Sequence, residues 1–90
     1  MGMSLILSAF AYAQRDASKE ILIKFKPGVS RLSIDRLVKG KNLELIREYP
    51  SIQNLFLYRV LGENVEKVMG ALKEDSQIEY IEHNQEVQAL

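Results

Sequence analysis

The chain has 90 residues, enough for one domain whose folding hides only about 60% of the surface an unfolded chain of this size exposes. Lys plus Arg and Asp plus Glu both number 12, so the formal charge is zero; this argues against the basic surface that nucleic acid or an acidic membrane would require. There is no cysteine, which excludes disulfides, thiolate metal sites and a cysteine nucleophile, while a hydrophobic share of 47% and a charged share of 27% suit a folded domain.

Residues 5–12 are apolar, and Ala11-Tyr12-Ala13 has the small-x-small form of a signal-peptidase site, with cleavage before Gln14. Residues 1–4 carry no Lys or Arg, and the run is short for a leader. It reads as a truncated signal over 1–13, with a frayed or helical extension as the alternative. The run is well below the ~20 apolar residues that span a bilayer. A signal implies a secreted or periplasmic protein. Residues 14–19 form a polar linker.

Residues 20–26 are rich in β-branched and aromatic side chains, and Pro27-Gly28 stops the run, which predicts a first strand. Ile21, Ile23 and Phe25 share one of its faces. A helix follows, capped by Ser30 or by Ser33, with Ile34, Leu37 and Val38 on one stripe and Gly40 placed to end it. Residues 42–49 and 54–61 predict two further strands joined as a hairpin across Pro50-Ser51. In the later strand Phe56, Tyr58 and Val60 alternate with Leu55, Leu57 and Arg59. An arginine is a poor core residue, so the aromatic set is expected to face inward.

Asn64 is a candidate cap for a second helix carrying Val65, Val68, Met69 and Leu72 at i, i+3, i+4 and i+7. Asp75-Ser76 closes it, and residues 78–83 predict a fourth strand. Residues 84–90 show no helical period and read as an extended tail. The order strand, helix, strand, strand, helix, strand predicts an α+β, ferredoxin-like βαββαβ domain over 20–83, a four-stranded antiparallel sheet with both helices on one face. The opposite face would hold Leu22, Leu55, Leu57 and one of Leu45 or Ile46. Such a row either marks a contact surface or is a scatter of single leucines among Lys24, Lys26 and Arg59.

The fold alone does not assign a function, but specific residues narrow it. Ile21-Leu22-Ile23-Lys24-Phe25-Lys26-Pro27-Gly28-Val29 resembles the opening strand and turn of the subtilisin propeptide (peptidase inhibitor) family, the prodomains of subtilisin-like serine proteases. Ala71-Leu72-Lys73-Glu74-Asp75 followed by Ile78-Glu79-Tyr80-Ile81-Glu82 resembles that family's second helix and last strand. The resemblance covers residues 20–90. It departs after the last strand, where relatives carry Glu-Pro-Asn or Glu-Glu-Asp and this chain has Glu82-His83-Asn84.

The resemblance implies a non-enzymatic role: inhibitor and intramolecular folding chaperone of a subtilisin-like protease domain, acting in cis or in trans. It implies that Glu82 and Asn84 cap exposed helix N-termini on the protease, where acceptors meet unsatisfied N–H groups and the positive end of the dipole. Asn84 would do so without charge. It further implies that Val87, Gln88, Ala89 and Leu90 enter the protease cleft as a product-like strand. Leu90 then precedes the scissile bond, and Val87 fills an apolar pocket three residues back. Leu90, where the sequence stops, is the position expected for the cut. The free domain is expected to be a monomer needing no cofactor or metal, with no membrane contact once the signal is removed.

Two other readings share the topology. An independent secreted inhibitor would use the same surface. An RNA-binding sheet would stack bases on Phe25, Phe56 and Tyr58, against both the inward placement of these rings and the zero charge. The single histidine, His83, stands at a strand end and reads as solvated, with no partner set for a catalytic triad.

Overall fold

The computed structural model describes residues 17–62 and 64–84. A short 3-10 turn, Ala17–Lys19, leads into strand β1, Glu20–Phe25. Ile21, Ile23 and Phe25 are fully buried on one face of β1, as the alternation predicts. The strand ends where Pro27 offers no N–H and Gly28 takes φ +90, a conformation that side chains disfavour.

Helix α1 covers Arg31–Gly40. Ser30, rather than Ser33, is its cap: the Ser30 hydroxyl accepts from the Ser33 N–H at 3.1 Å. Gly40 ends the helix as expected, and the left-handed position that follows is taken by Asn42, with φ 57. An asparagine tolerates that region, and here its side-chain amide donates to the Leu61 carbonyl at 3.2 Å, which ties the helix exit to the far end of the following hairpin.

The hairpin comprises β2, Leu43–Glu48, and β3, Leu55–Val60. The register of β2 against β3 slips between Leu45 and Arg47, leaving Ile46 as the extra residue of a bulge. Asn64 caps helix α2, Val65–Lys73, by accepting from the Lys67 N–H at 3.2 Å. Strand β4, Ile78–His83, completes the chain order expected from the sequence.

All pairings are antiparallel and the strand order is β2-β3-β1-β4. This is the ferredoxin-like α+β arrangement. Both helices lie on one face, since Ile34 of α1 and Val68, Met69 and Leu72 of α2 join Ile21, Ile23, Phe25, Phe56, Tyr58 and Val60 in a single buried cluster. Phe25 and Phe56 meet edge to face, their ring centres 6.0 Å apart. Each buried aliphatic or aromatic side chain in such a cluster contributes about 1.5–3 kcal/mol relative to exposure.

Candidate functional site

The helix-free face is organised in rows across the strands. In one row Arg47 of β2, Leu57 of β3, Leu22 of β1 and Glu82 of β4 stand side by side. In the next, Glu44, Arg59 and Glu20 follow in the same order. Leu55 stands beside Lys24, whose other neighbour is Tyr80.

The three leucines expected on this face do lie there, but not as a bare apolar row. Leu55 and Leu57 are buried, at 5% and 3% exposure, outside the helix-side cluster, while Leu22 is half-buried. Both buried leucines belong to an inner strand, beside Lys24 and Arg47, side chains long enough for their methylene stems to cover apolar surface. Of the Leu45 and Ile46 pair, Leu45 stands opposite the helix-side Tyr58 and is exposed, and the half-buried Ile46 is the bulged residue.

Glu82 and Asn84 flank the end of β4. With Leu22 and His83 they line one open depression. Glu82 is exposed beside Leu22, with its carboxylate available as an acceptor. Asn84 extends the ladder one residue past β4: its N–H donates to the Glu20 carbonyl at 3.0 Å. Its side-chain Nδ2 donates to Glu20 Oε1 at 2.9 Å. The chain is therefore held at Asn84 by a main-chain and a side-chain bond to the same residue.

Glu20 is the residue of this strand end that the sequence reading did not single out. It is fully buried, although a carboxylate is rarely so. The Arg59 guanidinium lies 3.7 Å from Glu20 Oε2 and 3.0 Å from Glu44 Oε1, so one arginine bridges two acids across three strands. The signal was present in the alternation: Glu20 shares the face of Leu22 and Lys24, where Arg59 is also forced to lie.

His83 points the other way. It stands opposite Ile21, a helix-side residue, and its Nε2 lies 2.8 Å from Glu66 Oε2 in the first turn of α2. It is thus paired rather than simply solvated. Phe25, Phe56 and Tyr58 are on the helix side and buried, so these rings offer no stacking platform for bases. No helix among the described residues is long and apolar enough to cross a membrane. The signal expected at 1–13 and the residues expected to bind a protease cleft, Val87, Gln88, Ala89 and Leu90, lie outside the described residues.

An antiparallel βαββαβ platform with side-chain acceptors at the end of its last strand is the arrangement that the sequence resemblance implies. A family model for the fervidolysin N-terminal prodomain matches residues 13–84, and the chain belongs to that family, which comprises propeptides of subtilisin-like proteases. No curated protein matches the chain.

Proposed function

We propose that this propeptide domain inhibits its subtilisin-like protease and assists that protease's folding through one surface, the helix-free sheet face together with the end of β4. Membership of the prodomain family supports association with such a protease and suggests a secreted protein. The observation that carries the reading is the placement of Glu82 and Asn84 beside Leu22 at the end of β4.

Glu82 and Asn84 supply acceptors for unsatisfied N–H groups at a helix N-terminus of the protease. In the complex with the protease, Val87 to Leu90 occupy the cleft as bound product would. Backbone pairing along an exposed enzyme edge gives affinity, and alternate side chains give selectivity. The domain binds native protease structure in preference to unfolded chain, so the same contacts favour folding. The isolated domain makes these contacts in trans as well as in cis.

The test is titration of the isolated chain against a subtilisin-type and a chymotrypsin-type protease. Inhibition of the first and not the second is expected. Equal inhibition of both, or of neither, would overturn the reading.

A further inference from the structure

Glu20 and Asn84 are 64 residues apart in sequence and share two hydrogen bonds, 3.0 Å through the main chain and 2.9 Å through the side chains. The chemistry fixes which way the Asn84 amide is turned. An ionised carboxylate only accepts, so the branch of Asn84 that faces Glu20 Oε1 must be the donor Nδ2. The carbonyl Oδ1 therefore lies on the opposite branch of the planar amide, away from Glu20, as an acceptor. Glu20 itself is held: it is fully buried, begins β1 and faces Arg59, which is anchored in turn by Glu44.

We propose that Glu20 is the positioning residue of the protease contact. Its carboxylate grips Asn84 by the amide nitrogen, turns Oδ1 outward, and fixes the direction in which the chain leaves β4. This deepens the inhibitor reading above and rests on it. It also explains why an amide, and not a carboxylate, stands at position 84 of this chain. An aspartate there would gain charge for a helix N-terminus but set two carboxylates within hydrogen-bond distance of each other, and like charges at that range resist joint ionisation. The residue at position 20 thereby selects the residue at position 84.

The test is a four-protein cycle comprising the parent chain, Asn84→Asp, Glu20→Gln and the double variant, measured as inhibition of a subtilisin-type protease. Asn84→Asp alone should weaken inhibition at least about tenfold, from the repulsion and the lost Nδ2 donor. In the Glu20→Gln background the same change should cause no loss, because the new amide can donate to the new carboxylate. An equal loss in both backgrounds would overturn the role of Glu20. A second readout needs neither the protease nor Glu20→Gln: NMR titration of the carboxyl introduced at position 84. With the Glu20 carboxyl followed in the same titration, one of the two should be raised above the ordinary carboxylate range in Asn84→Asp, and two ordinary values would overturn the contact. If the parent chain does not inhibit while this titration is perturbed, the inhibitor reading fails and the Glu20 grip on position 84 stands.

Discussion

His83 Nε2 lies 2.8 Å from Glu66 Oε2, which ties the last residue of β4 to the first turn of α2. The pair closes the helix side of the same strand end whose other side presents Glu82. Glu66 is exposed and His83 half-buried, so water competes for the contact. Replacing Glu66 with Gln should cost less than about 1 kcal/mol in urea unfolding. A larger loss would mean that the pair is a structural keystone.

Tyr58 gives the fold a specific alkaline limit. Burial pushes its phenol well above the ordinary tyrosine range; Arg31 draws it back, and Asp35 and Glu48 add to the rise. The folded state therefore disfavours the phenolate. An unfolded tyrosine ionises near pH 10, so the stabilisation is whole below that pH. It is lost above it, by up to about 1.4 kcal/mol per pH unit for one group. Urea unfolding from pH 8 to 11 should show this slope, and Tyr58→Phe should flatten it. An unchanged slope in the variant would contradict the assignment.

Asn54 holds φ 60 while its side-chain amide donates to the Lys26 carbonyl at 3.1 Å and its own carbonyl accepts from the Phe25 N–H at 2.9 Å. It pins the hairpin to the end of β1. Asn54→Ala should cost about 2–3 kcal/mol, combining left-handed strain with a lost hydrogen bond. Asn54→Gly should cost only about 1 kcal/mol, since it keeps the backbone conformation accessible. Equal losses would show that the backbone conformation carries no cost.

Glu82 is exposed beside Leu22 and is not committed to the sheet's own ion pairs in the manner of Glu20 and Glu44. Glu82→Gln should therefore leave thermal unfolding unchanged and weaken inhibition of a subtilisin-type protease by about fivefold, the equivalent of about 1 kcal/mol for a carboxylate at a helix N-terminus. An unaltered inhibition constant would remove Glu82 from the contact.

The element order and the helix-side core were legible because period and capping residues agreed. Ile21, Ile23 and Phe25 alternate without interruption, Ser30 and Asn64 cap the two helices, and Phe56 and Tyr58 face inward opposite Arg59. Helix α1 ends at Gly40 as the sequence indicates, but the left-handed turn after it falls to Asn42, which gains a hydrogen bond to Leu61 that no local pattern reveals. The helix-free face was legible in membership but not in exposure. Burial of Leu55 and Leu57 depends on their place in an inner strand, which only the sheet order supplies. Alternation puts Glu20 on that face, but its burial was not legible, because its partners Arg59 and Asn84 come from distant parts of the chain.

The most direct measurement compares the inhibition constants of the 90-residue chain and a chain ending at Glu86 against one subtilisin-type protease, with circular dichroism recorded on both. The account predicts that loss of Val87 to Leu90 removes most of the inhibition and leaves the spectrum of the fold unaltered. Equal inhibition by the two chains would contradict the claim that these residues occupy the cleft.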